Sequence, residues 1–84
     1  MGSEENIESH ELLDASGLTC PLPLLKAKQM LNRMAASGIL EVVCTDPGSV
    51  RDFQVFSEQS GHRILKAVTG AEEYRYWIQK RADS

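Results

Sequence analysis

Cys20-Pro21-Leu22-Pro23 is the stretch of this chain whose residue types can do chemistry. A cysteine thiolate is a nucleophile, and two prolines within four residues stiffen the backbone that carries it. Neither proline fits a helix interior, but both fit a first turn, where backbone N–H groups lack intrahelical partners. The motif therefore predicts a helix that opens there, with Cys20 at or near its N-cap. The helix dipole and the amides left facing the sulfur, chiefly those of Leu22 and Leu24, are then expected to favour the thiolate. A lowering of about one pKa unit raises the thiolate share at pH 7 from ~3% to roughly a quarter. Cysteine is a poor cap beside Ser, Asp or Asn, so helix stability alone does not account for its presence.

The other candidate groups carry weaker signals. Cys44 ends an apolar run in which Leu40, Val42 and Cys44 alternate with Glu41, which assigns it to the core side of a strand. It also falls at the same sheet edge as Cys20, so a disulfide or a sulfur hand-off between the two is the competing expectation. Cys20, Cys44, His10 and His62 match no metal-ligand spacing, and no metal is expected. No cofactor is expected either. Asp46, before Pro47, has the signature of a helix N-cap on the same rim as Cys20, where it can also shape a partner surface. Lys26, Lys28 and Arg33 line a polar helix face that can dock an acidic partner. Trp77 is either a partly exposed surface residue or a partner contact.

The elements that must position these groups follow from the apolar periodicities. Residues 10–14 are expected as a strand ended by Ser16-Gly17, and the first helix runs from Cys20 to about Ala36. Leu24, Ala27, Leu31 and Met34 form its inner face, and Ser37-Gly38 closes it. Ile39–Cys44 is a β-branched second strand. A second helix, started by Asp46-Pro47, turns Val50, Phe53 and Phe56 inward and ends at Gly61. Residues 63–69 and 73–80 are two further strands, the last alternating Tyr74, Tyr76 and Ile78 against Arg75, Trp77 and Gln79. The order β-α-β-α-β-β predicts an α/β two-layer sandwich, a mixed four-stranded sheet with both helices on one face.

Composition excludes more than it assigns. The 84 residues give one small core, with 42% hydrophobic and 25% charged residues, an ordinary globular balance. The expected division is a flexible acidic segment over 1–9, a single domain over 10–81 and a tail over 82–84. The formal charge of −3 is uneven: residues 1–14 carry five acids and no Lys or Arg, which leaves seven acids against nine bases beyond them. There is no basic block with interleaved aromatics, so direct nucleic-acid binding is not expected. No apolar run approaches the ~18 residues of a membrane span, and residues 1–8 lack the pattern of a signal peptide. A cytoplasmic location, without membrane contact and with reduced cysteines, is the expectation. Phosphate-binding glycine loops, Ser-His-Asp sets and paired carboxylates are absent from the sequence pattern.

The run Asp14-Ala15-Ser16-Gly17-Leu18-Thr19-Cys20-Pro21-Leu22-Pro23 resembles the signature of the TusA/SirA/YedF family of small sulfur-carrier proteins, whose core is Gly-Leu-x-Cys-Pro-x-Pro. The resemblance continues through residues 45–53, the Gly61-His62 turn, Tyr74-Arg75-Tyr76 and Ile78-Gln79-Lys80. It implies the same sandwich fold, and it implies that Cys20 carries sulfane sulfur as a persulfide, with Pro21, Leu22, Pro23 and Leu24 in support. The implied partners are a donor protein, a cysteine desulfurase or rhodanese, and an acceptor protein with a reactive cysteine, DsrE- or TusD-like. The protein is then a monomeric carrier with transferase-type chemistry, serving tRNA thiolation or sulfur oxidation and trafficking. Some relatives have a proline and a second cysteine in the second helix; Gln54 and Ser57 stand there in this chain, so a relay through that helix is unavailable. The two alternatives are a dithiol redox protein using Cys20 and Cys44, and a non-catalytic regulatory adaptor.

Overall fold

Strands form where β-branched and apolar residues alternate, and helices where apolar residues recur every three to four positions, and the two patterns trade places along this chain. In the computed structural model, which describes residues 8–82, they give β1 (Glu11–Ala15), α1 (Leu22–Arg33), β2 (Ile39–Cys44), α2 (Ser49–Ser60), β3 (Arg63–Thr69) and β4 (Tyr74–Gln79). The acidic segment lies mostly outside the described residues, as does most of the short tail.

The sheet order is β1-β2-β4-β3. β1 pairs parallel with β2, while β4 pairs antiparallel with both β2 and β3. β4 is thus inserted between the two strands that α2 connects, and the expected mixed α+β sandwich results. Both helices cover one face and touch each other. Between the layers Ala27 and Leu31 of α1 and Phe53 and Phe56 of α2 meet Leu40, Val42, Cys44, Tyr76 and Ile78 of the sheet. Phe53 stacks on Tyr76 with ring centroids 4.8 Å apart. The Tyr76 hydroxyl is buried and meets Ser49 Oγ at 2.9 Å, which satisfies both groups.

Several boundaries move by one or two residues from the sequence expectation, α1 opening at Leu22 rather than Cys20, and the end of α1 moves by more. α1 stops at Arg33, three residues short of Ala36, because the end of β4 takes over the chain there. Lys80 Nζ donates to the Met34 carbonyl at 2.7 Å, and the Ser37 N–H donates to the Lys80 carbonyl. α2 starts at Ser49, so the buried face is Ser49, Phe53 and Phe56, spaced four and three apart. Val50 falls about 100° round from Ser49 and is 40% exposed rather than inward. Gly61 ends α2 as expected, in the left-handed conformation at φ 85°.

Candidate functional site

Parallel neighbours deliver their following loops to the same end of a sheet. Ala15 and Cys44 are paired across β1 and β2, so the segment leading to α1 and the segment leading to α2 leave side by side. Three hydrogen bonds tie them together. The Gly17 N–H donates to Thr45 Oγ1 at 2.8 Å, from a glycine held at φ 82° that a side chain would strain. The Cys20 N–H donates to the Asp46 carboxylate at 3.0 Å, and the Cys20 thiol donates to the Asp52 carboxylate at 2.6 Å. Cys20 is exposed on this rim, and its peptide bond to Pro21 is cis.

Glycine at position 48 allows the close approach. A Cβ there would lie 3.1 Å from the Asp46 carboxylate and 3.4 Å from Cys20 Cβ. A side chain at position 48 would therefore press the Asp46 carboxylate aside by a few tenths of an ångström, at the group that holds the Cys20 N–H.

The thiol's environment reverses the sequence expectation. Its pKa is raised, first by the hydrogen bond to Asp52, with partial desolvation and the charges of Asp52 and Asp46 adding to it. The helix dipole does not prevail because the sulfur is turned to a carboxylate on α2 rather than to amides on α1. The Leu22 N–H donates to the Thr19 carbonyl instead, in the turn before α1. Free Cys20 is thus a protonated thiol with a nearby acceptor for its proton.

The remaining candidates separate into several roles. Pro21 is the exposed residue preceding α1, Leu22 is 44% exposed, Pro23 is fully buried and Leu24 packs against the core. Pro23 and Leu24 therefore anchor the loop that Cys20 rides on, while Pro21 and Leu22 shape the surface beside the sulfur. Asp46 is not the cap of α2: Gly48 holds that position with no side-chain cap bond, and the Asp46 carboxylate is engaged by the Cys20 N–H. Asp46 and Cys20 do share one rim. Lys26 and Lys28 are exposed on α1, and Lys28 Nζ also sits 5.6 Å over the Phe56 ring, where α1 meets α2.

Cys44 is a free thiol with no accessible surface, and burial pushes its pKa up to about 11. The two histidines are taken up by the fold: His10 Nδ1 accepts the Ile39 N–H, and His62 Nδ1 accepts the Arg81 N–H. Trp77 is partly exposed on the face away from the helices, with Lys66 Nζ 5.5 Å over its ring. A groove of about 690 Å³ lies at the other end of α1, between His10, Met30, Arg33, Met34 and Gly38, and Cys20 takes no part in its lining.

Asp52 is the site residue that the sequence did not single out. One signal was present: six residues after Asp46, it falls in the first turn of a helix that opens on the same rim as Cys20.

A small α+β sandwich that presents one exposed cysteine at the shared mouth of two loops is a thiol-presenting domain. The family model described as sulfurtransferase TusA matches residues 11–80, and the chain belongs to that family. The sulfur carrier protein TusA of Allochromatium vinosum is 46% identical over 68 residues, covering 81% of this chain and 90% of that protein. The sulfur carrier protein TusA of a Pseudomonas putida strain is 42% identical over 72 residues, 86% of this chain and 90% of the relative. Among solved structures, a SirA-like protein from Desulfitobacterium hafniense superimposes with a TM-score of 0.73 at 22% identity, covering 84% of this chain and 97% of that one. That likeness bears on the fold. Among the described residues no helix is long and apolar enough to cross a membrane.

Proposed function

We propose that this protein is a cytoplasmic sulfur carrier that holds one sulfane sulfur as a persulfide on Cys20. The observation that carries the reading is the exposed Cys20 sulfur, held on the common rim of both helix starts in a chain of this family. In loading, Cys20 sulfur attacks the terminal sulfur of a donor persulfide. A new Sγ–S bond forms, the donor's S–S bond breaks, and the donor cysteine leaves as thiolate while the Cys20 proton is released to that thiolate or to water. In unloading, the acceptor's thiolate repeats the exchange on the terminal sulfur of Cys20. Sulfur moves between cysteines with no net oxidation or reduction. Such exchange needs access for two partner proteins in turn, which an open rim provides.

The donor in this reading is a cysteine desulfurase or a rhodanese, and the acceptor is a DsrE- or TusD-like cysteine protein, in tRNA thiolation or in sulfur oxidation. Lys26 and Lys28, exposed on the helix that follows Cys20, offer positive charge for docking an acidic partner surface. The burial of Cys44 supports a one-cysteine carrier over a dithiol redox protein. Radiolabelled sulfur from cysteine, a desulfurase and this protein should appear on an added acceptor protein. Cys20→Ser should abolish that passage; label reaching the acceptor through the serine variant would overturn the reading.

A further inference from the structure

The short contact between Cys20 and Asp52 depends on a proton that the sulfur can hold in only one of its two working states. As a thiol, Sγ bears a hydrogen and donates it to the Asp52 carboxylate at 2.6 Å. Once a second sulfur is attached, Sγ is bonded to Cβ and to that sulfur and has no hydrogen left to donate. The bond to Asp52 is therefore lost on loading as a matter of valence. The terminal sulfur of a persulfide is also more acidic than a thiol, so it carries negative charge where the thiol is neutral. The charged groups acting on this position are Asp52 from α2 and Asp46 from the loop before it, both carboxylates. Like charges repel, so the surroundings that hold the thiol disfavour the persulfide anion.

We propose that Asp52 is a positioning residue that reports the load on Cys20: it latches the empty thiol against α2 and turns the sulfur-bearing side chain outward. This rests on the carrier reading of Cys20. The latch keeps the empty carrier's sulfur in its less reactive, protonated form, which spares it from adventitious oxidation. On loading, the latch opens and like charge drives the terminal sulfur toward solvent, where an acceptor cysteine can reach it. Donor and acceptor proteins thus meet two different surfaces at the same rim. The empty form presents Cys20 closed on α2, and the loaded form presents a projecting anion beside two carboxylates. Asp46 holds the Cys20 backbone in both states, because its partner is the amide rather than the sulfur.

Asp52→Asn removes the charge while keeping the size of the side chain, and Glu58→Gln, on the exposed late part of α2, is the matched control. The first measurement is the pH profile of Cys20 alkylation by iodoacetamide on the folded proteins, which needs no sulfur donor. The Asn variant should titrate at lower pH and react about threefold or more faster at pH 7, since each unit moved changes the thiolate share tenfold at pH values well below the pKa. The control should follow the unaltered protein. Superimposable profiles for Asp52→Asn and the unaltered protein would overturn the latch.

The second measurement mixes isotope-labelled unaltered protein with unlabelled Asp52→Asn after limited persulfidation by inorganic polysulfide, and reads the sulfur on each by intact mass. At equilibrium near neutral pH, sulfur should favour the Asn variant by about threefold or more, the ratio expected when one state is latched and the other repelled. Equal partition, or preference for the unaltered protein, would overturn the load-reporting role. Polysulfide that leaves both proteins unmodified would instead remove the carrier reading and the load-reporting role with it, while the alkylation profile still decides whether the latch exists.

Discussion

The two cysteines of this protein should behave as different chemical species in the folded state, and the difference can be worked out before it is measured. Cys44 has no accessible surface, and its pKa is pushed up to about 11 by burial. At pH 7 its thiolate share is then ~10⁻⁴, against ~3% for an ordinary cysteine, a handicap of roughly 300-fold before access is considered. Access lowers the rate further. A marginally stable domain spends only about 10⁻³ to 10⁻⁶ of its time unfolded, so labelling that needs unfolding is slower by that factor. Cys20 is exposed, and its reaction is slowed by the hydrogen bond to Asp52, by partial desolvation and by the nearby carboxylate charges. Native protein treated with iodoacetamide at neutral pH should therefore gain one adduct, on Cys20, more slowly than a peptide cysteine does. The second adduct should appear only after unfolding in guanidinium. Cys44→Ala should leave sulfur loading intact. Two adducts forming at comparable rates in the native protein, or a Cys20–Cys44 disulfide on mild oxidation, would refute this reasoning and favour the dithiol reading.

Three further expectations concern the frame that holds the rim. Phe53→Ala should cost ~3–5 kcal/mol, because a fully buried ring stacked on Tyr76 leaves a cavity between the layers; a loss under about 1 kcal/mol in urea titration would count against that packing. Ser49→Ala should cost ~1–3 kcal/mol by leaving the buried Tyr76 hydroxyl unpaired, and the loss should shrink in a Tyr76→Phe background; additive losses would contradict the pairing. The pKa of His62 is lowered, first by burial and then by Arg81 and Lys80, and its Nδ1 accepts the Arg81 N–H in the neutral form. The unfolded chain therefore takes up the proton first as pH falls through ~6.5, so this residue's contribution is complete above that pH and declines below it until the folded histidine also protonates. Urea midpoints should fall between about pH 7 and pH 5.5, and His62→Gln should flatten that part of the curve; an unchanged slope would reject the assignment.

Cys20 was legible in the sequence because its neighbours narrow the choices. Two prolines exclude a helix interior, the chain around them otherwise reads as helix, and the cysteine must therefore stand at a helix start. The β-α-β-α-β-β order was legible for a similar reason, since glycines and prolines punctuate clear changes of period. Asp52 was not legible, because an acid in a helix's first turn is favoured by the dipole wherever it occurs. Only the parallel pairing of β1 and β2 brings that turn against the sulfur. Asp46 was misassigned on the same grounds. Its cap signature is local, whereas the Cys20 N–H that engages it lies 26 residues earlier in the chain. α2 starts at Ser49, with Ser49 buried and Val50 exposed. The Cys20 pKa is raised first by the Asp52 hydrogen bond, a contact 32 residues away in the chain that local helix reasoning does not include.

Peptide mapping after incubation with a cysteine desulfurase and cysteine tests the central claim most directly. The protein should gain the mass of one sulfur atom, located on the peptide that contains Cys20, removable by a thiol reductant and absent from Cys20→Ser. An unmodified Cys20 peptide with several sulfur donors, or equal loading of the serine variant, would contradict a carrier built around this one thiol.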